Sequence, residues 1–325
     1  MSILKKIIPD PLILYLFIAI IFAYLYPQLS YIKYNFINLD LIIDIGVMLV
    51  FFFYGVKLQW KEVFKDLLNW RLHLTIQSIT FILFPLIGLL FYPLITIDDT
   101  YYLLFIALFY LCCLPSTVSS SVVMVSLAKG NVTSAIFNAS LSGLIGILLT
   151  PLWLSLFIKQ SESIESSSII INLLISVVLP VFIGALCQPI IGKYYELYKN
   201  WLVNIDKITI VLIVYNSFSH TFLDGLLTKI GISRLLLMSI LVLILFLSVF
   251  YLIKICNQYF FKFKRAEFIT MQFCGTKKSL VHGSVMGSII FQNEMGMILL
   301  PIMIYHTLQL IFISYKATQY AKEVD

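Results

Sequence analysis

The sequence has few charged residues. Among its 325 residues only 12% are Asp, Glu, Lys or Arg, whereas 61% are hydrophobic, and the mean hydropathy is +0.99. Soluble globular domains carry charge on about a quarter of their residues, so this chain could not cover a water-facing surface. The composition excludes an ordinary soluble protein and predicts an all-α integral membrane protein.

Long polar stretches are also missing, because the connections between apolar segments are short. We therefore expect a single transmembrane domain over 1–325. A helix needs roughly 20 apolar residues to cross a hydrocarbon layer about 30 Å thick, and ten apolar segments are candidates. They are 11–28, 39–56, 74–94, 101–128, 132–158, 169–190, 207–223, 235–255, 267–291 and 297–315.

The motifs of enzymes and cofactor sites are absent. The five cysteines do not have the spacing of metal ligands. Neither the His-Glu-x-x-His pattern of zinc hydrolases nor the Gly-x-Ser-x-Gly pattern of serine hydrolases occurs. The sequence therefore predicts no enzymatic activity and no cofactor.

The positive charges are unevenly distributed between the loops. If the N-terminus is cytoplasmic, sixteen of the 22 Lys and Arg residues fall on the cytoplasmic side and four on the other, while Lys277 and Lys278 fall within a span. Cytoplasmic loops are rich in Lys and Arg, so we expect both termini to be cytoplasmic. Orientation in the lipid bilayer then explains the net charge of +6, without a nucleic-acid partner. The high content of Ile, Asn, Lys and Tyr suggests an AT-rich bacterial genome, and hence a bacterial inner membrane.

Two of the apolar segments are interrupted by polar residues, at 113–121 (CLPSTVSSS) and at 274–279 (CGTKKS). Irregular backbone at membrane depth is tolerated only where it is buried in protein or lines a watery cavity, and a matched pair of interruptions points to a transporter's binding site. Ten helical residues from Phe268 place Lys278 roughly 15 Å deep, near the bilayer midplane. Helices that restart after the breaks would direct backbone N–H groups to one point, which favours an anion.

The breaks divide the chain into two equivalent halves, one over about 1–160 and the other over about 161–325. Each half has five predicted spans, and the interrupted span is the fourth in both. An odd number of spans forces the second half to insert in the opposite orientation. We therefore predict ten transmembrane helices in two inverted repeats, with helices 4 and 9 broken and crossing.

The residues around the breaks carry a resemblance to a known family. The strings PSTVSS at 115–120, AKGNV at 128–132 and FCGTKKSL at 273–280 resemble those of the bile acid:sodium symporter family (solute carrier family 10). Within it they resemble the SBF-like branch of the seventh member and its bacterial relatives. The resemblance covers essentially the whole chain.

The resemblance implies both architecture and activity. It implies a panel domain of spans 1, 2, 6 and 7 and a core domain of spans 3–5 and 8–10. It also implies secondary active transport, by alternating access, of an organic anion such as a bile acid or a sterol-like acid.

The resemblance also assigns roles to individual residues. Sodium-coupled members place a Ser-Asn pair on a sodium ion where this chain has Thr117, Ser119, Ser120 and Ser121, and Gln77 matches their third-span glutamine. The candidate binding residues are Gln77, Thr117, Ser119, Ser120, Ser121, Asn138, Ser140, Thr276, Lys277, Lys278, Ser279 and His282, of which Ser120, Ser121 and Asn138 would hold a sodium ion.

The chain departs from the sodium-coupled members at two places. Where they have a carboxylate in the ninth span, this chain has Thr276 followed by Lys277 and Lys278. Where they have hydroxyl ligands in the fifth span, it has Ala135 and Ala139. An ammonium group would repel a sodium ion, so the coupling ion, Na⁺ or H⁺, stays open.

Each candidate has a structural alternative. One of the two lysines could occupy the space of the sodium ion, as a permanent counter-charge for the anion or as a titrating group that couples to protons; alternatively, the pair only binds free helix carbonyls. The hydroxyls of 117–121 could bind their own helix. Gln77 and Asn138 could form an ordinary interhelical hydrogen bond, and His282 could relay protons or simply pack.

A different class of function also stays open. The chain could transport nothing and instead regulate ion homeostasis or envelope assembly through partner proteins.

Overall fold

The computed structural model describes residues 11–31, 38–57, 67–96, 99–157, 174–291 and 294–323. In these ranges every regular element is a helix, as the composition predicts. The helices are α1 (Pro11–Leu25), α2 (Leu39–Val56), α3 (Trp70–Leu94), α4 (Asp99–Cys113), α5 (Ser119–Leu127), α6 (Val132–Ser155), α7 (Leu179–Leu223), α8 (Leu226–Cys256), α9 (Arg265–Thr276), α10 (Leu280–Phe291) and α11 (Met295–Lys322).

Several of these helices can cross a membrane. Six helical lengths in the described residues have the necessary length and apolar composition. They are Leu39–Val56, Trp70–Leu94, Val132–Ser155, Ile175–Tyr195, Gly231–Phe261 and Met295–Lys322. Two further apolar helices, Pro11–Leu25 and Tyr101–Cys113, are shorter. The chain is therefore an integral membrane protein with multiple spans, as its hydropathy predicts.

Helix α3 contains a wide turn caused by a proline. Pro85 has no N–H to donate and its ring crowds the preceding turn, so the helix passes through a π-helical turn at Ile79–Leu83. This turn leaves the carbonyl oxygens of Thr80 and Phe81 available to donors from other helices. Trp153 Nε1 on α6 donates to Phe81 O at 2.9 Å. Thr80 O accepts a hydrogen bond from Lys278.

Two helical spans are broken where the sequence has its polar interruptions. Helix α4 ends at Cys113 and α5 begins at Ser119, whereas α9 ends at Thr276 and α10 begins at Leu280. In the first break a proline removes a backbone donor and disfavours a helical conformation in the residue before it. In the second break Lys277 is extended, with φ −82° and ψ 144°.

The helices pack as two groups. Helices α1 and α2 pack mainly against α7, and these three form the α7 group. Helices α3–α6 and α8–α11 pack mainly against one another and form the crossing group, which contains both breaks. The two groups meet where α7 contacts α8, α10 and α11 and where α2 contacts α6 and α10.

Helix α7 is too long for one pass through a membrane and is bent back. At about 1.5 Å per residue, a straight helix would separate Val181 from Asn216 by roughly 52 Å. The Val181 carbonyl packs against Gly55 of α2, and Asn216 Nδ2 donates to Asp40 Oδ1 of α2 at 3.0 Å. Gly55 and Asp40 are only roughly 22 Å apart along α2. Both ends of α7 therefore lie along the same helix, which a straight α7 could not achieve.

Candidate functional site

The two breaks meet inside the crossing group. The Ser279 N–H donates to Pro115 O at 2.8 Å, and the Ser116 hydroxyl donates to Cys274 O at 2.7 Å. All four residues are in buried regions. Irregular backbone needs hydrogen-bond partners when it is away from water, and each break supplies partners for the other. The structure thus brings the two predicted interruptions into direct contact.

Lys278 is bound on all sides. Its Nζ donates to the carbonyl oxygens of Cys112 at 2.6 Å, Leu114 at 2.8 Å and Thr80 at 3.0 Å. It also lies 4.0 Å from the centre of the Phe84 ring. An ammonium group has three donors, and all three are used. The acceptors are available because α4 ends at the break and because the wide turn of α3 releases a carbonyl. These bonds correspond to the alternative in which the lysine only binds free carbonyls. They tie α3 and α4 to the α9–α10 break.

The side-chain nitrogen of Lys277, in contrast, forms no described hydrogen bond. Its side chain is fully buried, yet Nζ has no hydrogen-bond partner among the described residues. Burying a charged group without a partner is costly, and such groups in membranes are usually functional. Lys277 Nζ is therefore the open cationic group of the crossing.

Helix α11 supplies two side chains that the sequence analysis missed. Gln309 accepts from Lys278 N–H at 2.8 Å and donates to Lys278 O at 2.9 Å. The Tyr305 hydroxyl donates to Thr276 O at 2.5 Å. Tyr305 and Gln309 are four residues apart in an apolar segment, so they share one helix face, and this spacing could have identified them. The Thr276 hydroxyl itself bonds back to Gln272 O at 2.6 Å, within its own helix.

The hydroxyls of the serine-rich turn bind one another. Thr117 Oγ1 lies 2.8 Å from Ser120 Oγ and 2.9 Å from Ser121 Oγ. The side chain of Ser119 lies outside the described part of the chain. Each hydroxyl oxygen has two lone pairs, so this trio keeps acceptor capacity for a ligand.

A second polar cluster joins α3 to α6. Gln77 Nε2 lies 3.1 Å from both Oδ1 and O of Asn138. Asn138 Nδ2 lies 2.8 Å from Ser134 O and from His73 Nδ1. The buried Gln77 Oε1 has no partner among the described residues and is an open acceptor. Asn138 and the serine-rich turn, which supply the predicted sodium ligands, have no hydrogen bond to each other among the described residues.

The last predicted residues lie at the boundary between the two groups. Ser279 Oγ accepts from His282 N–H at 3.2 Å and lies 3.0 Å from His282 Nδ1. The His282 ring packs edge-on against Tyr54, with centroids 5.1 Å apart. Ser140 contributes its carbonyl, which accepts from the Tyr54 hydroxyl at 2.7 Å. His282 thus lies in the α2–α10 contact and also bonds to Ser279 of the second break.

The described residues contain no group of three or more His, Cys, Asp or Glu side chains that could hold a metal ion. Multiple spanning helices and two broken helices that meet in the interior define the class of a membrane transporter.

Comparison with known proteins identifies the family. Residues 10–322 match the SBF-like CPA transporter family, and the chain belongs to that family. It is 33% identical over 319 residues to "Putative symporter YfeH" of Escherichia coli (strain K12), covering 97% of this chain and 94% of that protein. This is a family of transporters and not of enzymes, so the family recognised from the motifs and the predicted lack of enzymatic activity are both confirmed.

Relatives in animals are similar over most of the chain. The protein named "Sodium/bile acid cotransporter 7" of Danio rerio is 28% identical over 322 residues, covering 96% of this chain and 93% of that protein. The protein of the same name from Rattus norvegicus is 30% identical over 269 residues, covering 82% and 79%.

Proposed function

We propose that this protein is a secondary active carrier that moves an organic anion by alternating access, in the manner of a bile acid:sodium symporter. The observation that carries the proposal is the buried contact between two broken helices beside a lysine whose Nζ has no described partner. Discontinuous helices that meet near the membrane midplane form the substrate and ion sites of secondary transporters.

The proposed architecture has ten spans in two inverted repeats. Six long helical lengths account for six spans. Helix α1, the second half of α7 and the two broken helices supply four more. The α7 group then holds spans 1, 2, 6 and 7 and corresponds to a panel domain, while the crossing group corresponds to a core domain. With ten spans both termini lie on one side, and the distribution of Lys and Arg favours the cytoplasmic side of a bacterial inner membrane.

The proposed coupling depends on Lys277 rather than Lys278. All donors of Lys278 Nζ are used by helix carbonyls, so this residue is a fixed brace. Lys277 Nζ is open and takes the place of a sodium ion, either as a permanent counter-charge or as a group that exchanges protons.

The proposed substrate is an amphipathic organic anion, such as a bile acid or a sterol-like acid. Two relatives are named as sodium/bile acid cotransporters, and a buried ammonium group favours an anionic ligand. We propose an anionic substrate because of Lys277. We propose that the anion is amphipathic because of the names of the relatives.

Uptake into proteoliposomes tests the proposal. Uptake of a labelled bile acid is measured under separate inward Na⁺ and H⁺ gradients for the native protein, Lys277→Ala, and the control Lys322→Ala at the exposed end of α11. We expect saturable uptake that ignores Na⁺, falls to the level of empty liposomes in Lys277→Ala and is unchanged in Lys322→Ala. Uptake that depends on the H⁺ gradient would indicate that Lys277 exchanges protons. Uptake that ignores this gradient would indicate a permanent counter-charge.

Two results would contradict the proposal. Sodium-driven uptake that survives in Lys277→Ala would show that neutral oxygens hold the ion and that the lysine does not replace it. Absence of saturable uptake for bile acids and for a panel of other organic anions would favour a membrane protein that does not transport.

A further inference from the structure

A small polar cavity lies between the two groups of helices. Its volume is about 30 Å³, and apolar side chains of α2 and α10 form part of its wall. Tyr54 of α2 and Lys57 at the end of α2 line it, together with Asp206 of α7 and His282 of α10. Three of these polar residues therefore come from the α7 group and one from the crossing group.

Two atoms facing this cavity lack a partner among the described residues. They are Asp206 Oδ1 and His282 Nε2, and both are buried. His282 has only 6% of its surface exposed. A buried polar atom without a hydrogen bond costs about 1–3 kcal/mol, and two such atoms on one cavity point to a shared partner that is small and polar.

The hydrogen bonds around His282 indicate what its free nitrogen offers. Ser279 Oγ already accepts from the His282 N–H at 3.2 Å. Ser279 Oγ also lies 3.0 Å from Nδ1. A neutral imidazole has one donor and one acceptor nitrogen, so Nε2 offers the cavity one hydrogen-bonding position. Asp206 Oδ1 offers it an acceptor.

Two oxygen atoms of the other polar residues around the cavity can still accept a hydrogen bond. Lys57 Nζ lies 3.0 Å from Asp206 Oδ2, so this ion pair uses the second carboxylate oxygen and leaves Oδ1 open. The Tyr54 hydroxyl donates to Ser140 O at 2.7 Å, and its oxygen can still accept. A methyl group at Gly143 would clash with the Tyr54 hydroxyl and approach His282 Nε2 to 3.1 Å, so the small residue keeps this place open.

We propose that the cavity binds one water molecule, which forms a hydrogen bond with His282 Nε2 and donates to Asp206 Oδ1. The volume of about 30 Å³ matches the space of a single water molecule, and a buried water needs two to four polar partners. The ion pair of Lys57 and Asp206 in the α7 group is then joined to His282 in the crossing group. We call this chain of contacts the latch.

The latch holds the two groups of helices together in this conformation. Any movement that separates α2 and α7 from α10 breaks it and increases the exposure of the ion pair, which is already partly exposed. Loss of the latch should therefore loosen this boundary while the contact between the two helix breaks stays intact. The inference does not depend on the substrate or on the coupling ion.

A double-mutant cycle tests the connection. Thermal unfolding midpoints in detergent are compared for the native protein, Asp206→Leu, His282→Phe and the double variant. We expect each single change to lower the midpoint, and the double change to lower it by less than the sum of the two single changes, because either change removes the same bridge. Fully additive losses would overturn the inference. As a control, Asp206→Leu is combined with Tyr102→Phe, which removes the bond from Tyr102 on α4 to Phe157 O just beyond the end of α6. These two losses should be additive.

Two further measurements separate a water bridge from simple packing. An experimental structure of the native protein that shows ordered waters should place one within hydrogen-bond distance of both Asp206 Oδ1 and His282 Nε2. A direct bond between the two side chains, or a cavity without density, would overturn the inference even if the variants failed to fold. Hydrogen exchange should become faster at 50–57 and 280–286 in His282→Phe, and unchanged exchange there would count against a latch.

Discussion

Lys277 and Lys278 are adjacent in sequence but have different surroundings in the crossing. The Nζ of Lys278 is coordinated by three carbonyl oxygens, as an ammonium group requires. The Nζ of Lys277 is equally buried and has no described partner. We therefore expect replacement of Lys278 to lower the stability of the protein and replacement of Lys277 to leave it unchanged or raise it.

Replacing each lysine by methionine separates the two roles. Lys278→Met leaves three buried carbonyls without a donor and should lower the free energy of unfolding by roughly 2–5 kcal/mol. Lys277→Met breaks no described hydrogen bond and removes a buried polar group, so stability should be unchanged or higher. Thermal unfolding in detergent, followed with a thiol-reactive dye that detects the buried cysteines Cys112, Cys113 and Cys274, measures both effects. Equal losses in the two variants would show that Lys277 is also a structural brace.

The sequence could place both lysines in a break but could not say which one is paired. Depth and interruption are local properties, and they identify 274–279 directly. The acceptors of Lys278 include Thr80 and Cys112, which are 198 and 166 residues away in the chain. The carbonyl of Thr80 is also available only because Pro85 widens its turn. Neither fact can be inferred from the sequence, because both depend on how the helices fold and pack.

At the scale of elements, the α9–α10 break depends on a neighbouring helix. Helix α11 places Gln309 so that its amide pairs with both backbone groups of Lys278, at 2.8 and 2.9 Å. Backbone groups in a break have no partner of their own, so this side chain replaces the missing helical hydrogen bonds.

Gln309→Leu should therefore weaken the crossing. The change leaves one buried N–H and one buried C=O unpaired and should cost about 1–3 kcal/mol of stability. Gln319→Leu on the same helix is a matched control, because among the described residues Gln319 bonds only to Tyr315 and Lys316, which are within one turn of it. Thermal midpoints of the two variants in one detergent make the comparison. A control variant that loses as much as Gln309→Leu would refute a special role for this amide.

The contact between α2 and α7 depends on close approach of two backbones. A methyl group at Gly55 would clash with the Val181 carbonyl, and one at Gly184 would clash with the Phe52 carbonyl. Small residues permit such approach between membrane helices. The two glycines therefore set the distance between these helices.

Gly184→Ala should separate the helices, and Gly192→Ala on the same helix should not. At Gly192 the nearest atom to a new methyl group is Gln188 Nε2, at the flexible end of a side chain. Overpacking at Gly184 should cost about 1–3 kcal/mol, whereas Gly192→Ala should be neutral or stabilise the helix by up to about 1 kcal/mol. Thermal unfolding of the two variants gives the answer, and a harmless Gly184→Ala would mean that the backbones are not in contact.

At the scale of the whole molecule, the sequence predicts spans better than their arrangement. Hydropathy identified apolar segments at 169–190 and 207–223, because it depends only on local composition. It could not show that both lie along α2, with Val181 against Gly55 and Asn216 bonded to Asp40. It also could not assign α1, α2 and α7 to one group and the helices with the breaks to another, since that division depends on contacts between distant segments.

The orientation of the whole chain in the membrane is predicted by its positive charges. Sixteen Lys and Arg residues on one side against four on the other should hold both termini in the cytoplasm. Green fluorescent protein fused after Asp325 should be fluorescent in bacterial cells, because it matures only in the cytoplasm. Alkaline phosphatase inserted within 159–168 should be active, because that loop would lie outside, and the same enzyme inserted within 262–265, a basic loop, should be inactive. Reversed activities at the two insertion points would require the opposite orientation, and activity at both would rule out an odd number of spans between them.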